Sequence, residues 1–596
     1  MMGWKPPMLL PPDGRSLLTD VLRPPPGYRL DRAVATTFTL DLGSLLVAPI
    51  AFAAHGAGDV DDEMSILVAI QDCANRIDVF CQAGYIRCPP LKSKLLLVLE
   101  KMVHQVPRPT TGHLFHPKIW LVRYIRGGER LLRLIVLSRN LTGDRSWDVC
   151  LILDGAIGGR PSAANSPIAK LLRHVMGRTV PGLPEERRAA IDGLVEDARR
   201  AEWELPDGFR EHTFYALGVP GCGRPDFDGT RHLVMAPFVE EGGLEICAPG
   251  QGSLAIIARQ EELDRLSDDA LEGCDVFVLS EQFMLDRDEE LGAPRLTGLH
   301  AKTYVIEKQR RARVLVGSAN ATRAAYGGNV EFLVELVASK DQHGIDSMIN
   351  DKAGLRAILE EYQRGPQVEP DPEEEIGRNL EYYLCDLAAV VFVAEVGAKG
   401  DLFEMSITAG DLPQPVGDLT LMLNLYTLSS EAMPIDPGRA VDVRFQHLSI
   451  TAVTAFLVIT ATAPDGTSRE KIVVADLIGD PPGRFDRVFA DQIDTPEKFL
   501  EFMLLLLGPG PIRLRHPDPG AGTRPAVGGV SPLFDVGLLE MLLGALVTRP
   551  AQLAGLGKLI EQKAADPEHG VLPQGFLELW HLIDEARRDL QGNAAC

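Results

Sequence analysis

Between residues 36 and 365 the pattern of apolar and polar positions changes period again and again. Short runs rich in Val, Ile and Leu alternate with stretches whose apolar positions recur every three to four residues, the signature of strands and helices packed in layers. The runs predict strands at 78–83, 116–124, 131–137 and 149–153, with a strand and buried segment over 37–52. Helices are expected at 62–77, 91–104, 166–177 and 184–203, the last with a Pro at its start. A second succession follows, with strands at 232–239, 253–258, 276–279, 300–306, 312–316 and 330–338 and a helix at 260–269. The fold class expected is therefore α/β. Residues 1–205, including a Pro-rich arm at 1–35, and residues 206–365 are read as two related halves, a distant internal duplication.

The pattern then changes. Residues 366–399 open with the acidic stretch Asp371-Pro372-Glu373-Glu374-Glu375, a linker, and 376–396 fits a helix and buried strands equally well. Residues 400–495 alternate as strands do, at 419–428, 441–445, 454–463 and 471–478, with Pro464-Asp465-Gly466 as a turn, and predict a small β-rich domain. Residues 496–596 form a helical region, with helices at 496–507, 534–547, 551–565 and 576–590 around a Gly- and Pro-rich loop at 509–532.

Two stretches share one grammar. His116-Pro117-Lys118 opens an apolar strand, a basic hairpin follows, a second strand ends in Ser138-Arg139-Asn140, and Asp148 comes next. His300-Ala301-Lys302, the hairpin Lys308-Gln309-Arg310-Arg311, Ser318-Ala319-Asn320 and Glu331 repeat that order. Chance predicts roughly a third of one His-x-Lys in a chain of this composition, and roughly a third of one Ser-x-Asn. Each occurs twice, in the same order.

These residue types suit a tetrahedral anion. Lys118 and Lys302 bring point charge, and Asn140, Asn320, Ser138 and Ser318 bring neutral donors for the nonbridging oxygens of a phosphodiester. One imidazole attacks phosphorus and the other protonates the leaving oxygen. Asp148 and Glu331 are placed to accept from the far nitrogen of a His and fix its tautomer. No metal-ligand cluster and no cofactor motif stands out, and two lysines aimed at phosphate make a metal unnecessary.

The paired motifs resemble the phospholipase D superfamily, whose signature is H-x-K-x4-D followed by G-S-x-N, twice per active site. The resemblance covers roughly residues 36–340. The second copy reads His300-Ala301-Lys302, Glu307 where the family has Asp, and Gly317-Ser318-Ala319-Asn320. The first departs: Arg123 stands at the Asp position and Leu137-Ser138-Arg139-Asn140 replaces Gly-Ser-x-Asn, a loss similar to that of the tyrosyl-DNA phosphodiesterase branch. The resemblance implies metal-independent attack through a covalent phosphohistidine, in a site shared between the halves. Carried over position by position, it makes His116 the nucleophile and His300 the general acid.

Composition narrows the substrate. The chain of 596 residues carries a net charge of −23, which disfavours phosphate-rich partners, but the acidity is concentrated in the C-terminal half and residues 101–200 are locally basic. Nucleic acid, DNA or RNA, is thus the expected partner, with the basic hairpins as candidate backbone contacts and Trp147 and Tyr326 as candidate stacking surfaces. A phospholipid phosphodiesterase or transferase, and a non-catalytic binding module with a degenerate first motif, are the alternatives. No signal peptide or membrane span is apparent, so a cytoplasmic enzyme is expected. The C-terminal half carries no chemical motif. A catalytic half joined to such an extension resembles, by analogy of architecture, bacterial nucleases that work with helicase or ATPase partners in anti-phage defence.

Overall fold

The computed structural model describes residues 18–56, 70–89, 93–280 except 145 and 251, 298–349, 354–365, 372–492 and 576–593, with isolated positions between 542 and 572. The helices expected at 496–507, 534–547 and 551–565, the loop at 509–532, most of the helix at 62–77 and the start of the N-terminal arm lie outside the described residues.

The N-terminal part supplies β1 (Arg29–Thr37), β2 (Leu40–Asp41), β3 (Ile77–Gln82), β4 (Ile86–Arg87), β5 (Val103–Val106), β6 (Ile119–Arg126), β7 (Glu129–Leu137), β8 (Cys150–Ile157) and β9 (Ala201–Trp203). Seven of these form one sheet in the order β5-β3-β1-β6-β7-β8-β9. Next come β10 (Glu211–Leu217), β11 (Arg231–Met235), β12 (Ser253–Ile257), β13 (Asp275–Leu279), β14 (Thr303–Lys308), β15 (Arg311–Gly317), β16 (Glu331–Ser339) and β17 (Leu359–Glu361). They form a second sheet in the order β10-β16-β15-β14-β11-β12-β13-β17.

The sheets share a plan. In each, three strands run parallel (β1, β3, β5 and β11, β12, β13), and an antiparallel meander (β6, β7, β8 and β14, β15, β16) is added beside the first of them. Both meanders turn through two residues, Gly127-Gly128 and Gln309-Arg310, and both turns begin in left-handed backbone (Gly127 φ 60°, Gln309 φ 57°), as tight hairpins require. The central strands read as near-continuous apolar runs because both of their faces are covered. Phe80, Leu121 and Val136 of the first sheet share one buried cluster with Phe214, Leu233, Val316 and Phe332 of the second. The molecule is a mixed α/β protein.

Several elements depart from the sequence pattern. The Pro-rich arm ends before residue 29, and Arg29–Thr37 is a central strand rather than a covering segment. In place of the helix at 91–104 stand a short 3-10 helix, Lys94–Leu99, and then β5. Leu95 to Leu99 are all buried, so that run has no polar face to set a helical period. The segment after Thr37 is a helix, Leu42–Gly56. The helix expected at 260–269 is two short ones, Gln260–Leu263 and Asp268–Leu271, the second capped by Ser267 Oγ accepting from the Ala270 amide. The ambiguous stretch 376–396 divides into a helix, Pro372–Leu387, and a strand, β18 (Phe392–Lys399).

The β-rich region thus begins at Phe392 rather than near 400. It continues with β19 (Leu402–Ala409), β20 (Thr420–Leu425), β21 (Met433–Ile435), β22 (Val441–Leu448), β23 (Phe456–Thr462), β24 (Ser468–Val474) and β25 (Asp476–Ile478). One sheet has the order β22-β19-β18-β25 and the other β2-β4-β24-β23-β20-β21, so the N-terminal part lends it two strands through Ile86 opposite Ile472. A buried ion pair secures the junction. Arg484 Nη2 donates to Glu100 Oε2 (2.8 Å) and Nη1 to the Val453 carbonyl (3.0 Å), while Glu100 Oε1 accepts from Thr454 Oγ1 and the Ala455 amide. Both side chains are almost wholly shielded from water, at 1% and 2% exposure.

Breaking a buried pair from one side leaves an uncompensated charge, at a cost of about 3–5 kcal/mol, whereas replacing both partners by apolar groups is close to neutral. Arg484→Met alone should therefore lower unfolding stability in urea by about 3 kcal/mol or more, and the double variant Glu100→Met/Arg484→Met should recover most of the loss. Equal losses in the two variants would contradict this account of the junction.

Candidate active site

Each His-x-Lys segment lies immediately before the first strand of a meander, His116-Pro117-Lys118 before β6 and His300-Ala301-Lys302 before β14. Each is stitched to the other sheet's polypeptide. Phe115 and Val330 form a parallel bridge, with the His116 amide donating to the Val330 carbonyl (2.8 Å) and the Val330 amide to the Leu114 carbonyl (2.9 Å). Trp147 and Leu299 form the matching bridge, with the Trp147 amide donating to the Gly298 carbonyl (2.9 Å) and the His300 amide to the Trp147 carbonyl (2.8 Å).

These exchanges bring side chains of the two motifs into contact. His116 Nδ1 stands 2.9 Å from Glu331 Oε2, so the acid of the second copy holds the imidazole of the first. Glu331 is fully buried, and it also accepts from Asn329 Nδ2 (3.1 Å) and from Ser318 Oγ. Lys118 Nζ donates to the His116 carbonyl (2.9 Å). Lys302 Nζ donates to the Ser138 carbonyl (3.1 Å) and the His300 carbonyl (3.0 Å), and lies 3.2 Å from His300 Nδ1. His300 Nδ1 is itself 2.9 Å from the Ser138 carbonyl, across the seam between the copies.

Burial dominates the electrostatics. Lys118 and Lys302 are 1% and 0% exposed. Burial pushes the Lys118 ammonium down to about 7 against the pull of Glu331. Burial, reinforced by Lys118, takes Lys302 well below the usual lysine range. Burial, with Lys118 adding to it and Glu331 opposing, brings His116 down to about 4. His300 is lowered further still by burial and by the charges of Lys302, Lys118, Arg259 and His116. Both imidazoles are therefore neutral at pH 7. Glu331 runs the other way: burial raises its carboxyl, but His116, Lys118 and Ser318 outweigh that and hold it below the ordinary carboxylate range.

The remaining motif residues divide. Asn140 and Asn320 each keep a buried Oδ1 without a hydrogen-bond partner among the described residues, at matching places in the two copies. Buried polar atoms are seldom left so, and they mark where water or a ligand completes a site. The Ser138 and Ser318 hydroxyls already donate within the protein, to the Val149 carbonyl (3.4 Å) and to Glu331, and each also accepts. Ser138 Oγ accepts from the Val149 amide (2.9 Å) and Ser318 Oγ from the Phe332 amide (2.9 Å), because each Ser ends a strand facing the backbone of its neighbour. Asp148 follows Trp147 as Glu331 follows Val330, yet its nearest cation is Arg139 (3.5 Å), and a backbone carbonyl meets His300 in its stead. The two copies are thus unlike at the atom that orients each imidazole.

The departure of the first motif has a local reason. Glu307 of the second copy accepts from the Ile345 amide (2.8 Å) and Arg231 Nη1 (3.2 Å). Arg123, at the matching place, donates to Asp197 (2.8 Å) and pairs with Asp31. The ion pair survives with its signs exchanged. Gly317 has no counterpart either: a Cβ there would meet the Phe332 carbonyl oxygen at 2.1 Å.

Several of the hairpin cations pair with carboxylates. Arg126 pairs with Glu129, Arg130 with Asp197, Arg133 with Asp154, Lys308 with Asp228 and Arg313 with Glu335. Tyr326 is buried in the core beside Phe227 and Tyr304 rather than open to a base. Two residues that the motifs do not contain do reach the site. The Phe38 ring lies 5.4 Å from that of His116, and Arg259 Nε donates to the Leu299 carbonyl (2.9 Å) beside His300. Their only signal in sequence is position, each just past an apolar run. Among the described residues, no group of three His, Cys, Asp or Glu side chains could hold a metal, and no helix is long and apolar enough to cross a membrane.

No family model matches the chain, and no curated protein matches it. Among solved structures it is similar to the phosphatidylserine synthase of Haemophilus influenzae Rd KW20, at 11% identity and a TM-score of 0.31, over 62% of this chain and 91% of that one. A likeness of that size carries no argument about what this chain does.

The electrostatics generate a pH prediction. His116 is near 4 folded and about 6.5 unfolded, so the unfolded chain binds the extra proton and folding stability falls as pH drops from about 6.5 towards 4. Lys118, near 7 folded and about 10.4 unfolded, costs stability at neutral pH for the same reason. Lys118→Met should thus raise the pH 7 unfolding free energy by about 1–3 kcal/mol, with the gain shrinking as pH rises towards 10. Urea titrations at pH 5, 7 and 9 check both signs.

Proposed function

We propose that this chain is a phosphodiesterase of phospholipase D type, built from two related α/β halves, that cleaves nucleic-acid phosphodiesters through a phosphohistidine without a metal. What carries the reading is the contact between His116 of the first motif and Glu331 of the second. It engages Nδ1 and leaves Nε2 as the free nitrogen of a neutral imidazole, the form a nucleophile needs.

In the first step the His116 Nε2 lone pair attacks phosphorus, an N–P bond forms and the P–O bond to the leaving group breaks. His300, protonated, gives its Nε2 proton to the departing oxygen. The positive charge that grows on His116 is met by Glu331. Lys118, Lys302 and the Nδ2 groups of Asn140 and Asn320 donate to the nonbridging oxygens. Burial first, and then repulsion from Lys302, Lys118 and Arg259, keeps His300 neutral before substrate binds. An entering phosphate cancels that repulsion, so His300 takes up its proton with the substrate. In the second step neutral His300 removes a proton from water, the water oxygen attacks phosphorus, and the N–P bond breaks to restore His116.

Labelled DNA, labelled RNA and phosphatidylcholine vesicles, each incubated with the protein in EDTA, test the reading. Nucleic acid should be cut and lipid left intact. His116→Ala and His300→Ala should each lower turnover by about a hundredfold or more while their circular dichroism stays that of the wild type. Acid quenching should trap an acid-labile phosphoryl group on wild type and none on His116→Ala. Turnover of lipid alone, or cleavage that EDTA abolishes, would overturn it.

A further inference from the structure

Phe238 and Arg259 stand just beyond the C-terminal ends of β11 and β12, two adjacent parallel strands, and ligands of open α/β sheets bind at that end. Arg259 is fixed at one point: its Nε donates to the carbonyl of Leu299 (2.9 Å), the residue before His300. Its guanidinium lies 5.1 Å from the centroid of the Phe238 ring, and its nearest carboxylate, Glu261, is 4.0 Å away. Phe238 remains 39% exposed. At the matching place in the first sheet Phe38 packs at a tilt against Tyr85 (4.1 Å between centroids), and Tyr85 in turn lies under Lys471 (5.3 Å). One side of the site is thus closed by aromatic packing, and the other presents an open ring and a cation.

We propose that Arg259 and Phe238 form a substrate subsite on the His300 side, Arg259 gripping the phosphate next to the scissile one and Phe238 stacking the base between them. This rests on the phosphodiesterase reading and deepens it: the ligand is a polynucleotide strand of at least two phosphates, running out past His300. An arginine whose Nε is anchored presents its two terminal nitrogens in a fixed fork, the geometry that suits a phosphate. A base is the planar, uncharged partner that an exposed ring accepts without sequence preference. The charge of Arg259 also reaches His300 and Lys302, which places it within electrostatic range of the reacting groups.

The test compares two probes on the full chain: bis(4-nitrophenyl) phosphate, which has no neighbouring phosphate or base, and a fluorescein-labelled single-stranded DNA twelve-mer. Arg259→Ala should lower kcat/KM on the oligonucleotide about tenfold or more relative to its loss on the small diester, mostly through KM. Phe238→Ala should do the same, and Phe238→Trp should restore the ratio. Equal losses on both probes, or no loss on either, would overturn the subsite. If wild type turns over neither probe, the phosphodiesterase reading fails by itself. Fluorescence anisotropy of the twelve-mer then decides the subsite separately: equal affinity for wild type and Arg259→Ala overturns it, and weaker binding by the variant upholds it.

Discussion

A carboxylate with no access to water must have its lone pairs filled by the protein, and Glu331 meets that demand with His116, Asn329 and Ser318. Two of those donors come from its own sheet, and the third can only come from the other. The need to satisfy one buried charge therefore draws the first His-x-Lys segment against the root of β16, where paired backbone bonds between Phe115 and Val330 hold it. Neither half contains a complete set of partners for its own imidazole. The seam is chemically obligatory as well as apolar.

The same seam gathers basic groups whose protonation the burial opposes. Elsewhere many arginines are matched to carboxylates, even where Arg123 and Glu307 exchange sign between the copies. At the seam two lysines are buried, with Glu331 the one carboxylate held hard against the group. Such an arrangement is held against its electrostatic preference by the packing around it, and it relaxes when an anion arrives. Free energy stored in this way is available to binding, which is why strained ionisation states gather where proteins do chemistry.

Much of this was legible in the sequence. The repeated order of His-x-Lys, Ser-x-Asn and acid located the residues that meet, and the apolar runs located most strands of both sheets. What escaped was set by neighbours distant along the chain. Nothing local distinguishes Asp148 from Glu331, since only the position of Arg139 and of the Ser138 carbonyl separates their roles. The Ser hydroxyls look like anion donors until the Val149 carbonyl and Glu331 take their protons' hydrogen bonds. Several hairpin arginines look like a basic surface until Asp154 and Glu335 arrive from neighbouring strands and Asp197 from the helix Glu185–Arg199. The 3-10 segment at Leu95 to Leu99 misled for a different reason, because an all-apolar run has no period to read.

The loan of two short strands to the β-rich sheet has a mechanical result. Leu40–Asp41 and Ile86–Arg87 begin within two residues of Phe38 and Tyr85, a tilted ring pair whose Phe38 lies beside His116. No linker separates the C-terminal sheet from that aromatic pair. A tug on the distal sheet would arrive at the His116 imidazole through two residues of stiff, hydrogen-bonded backbone.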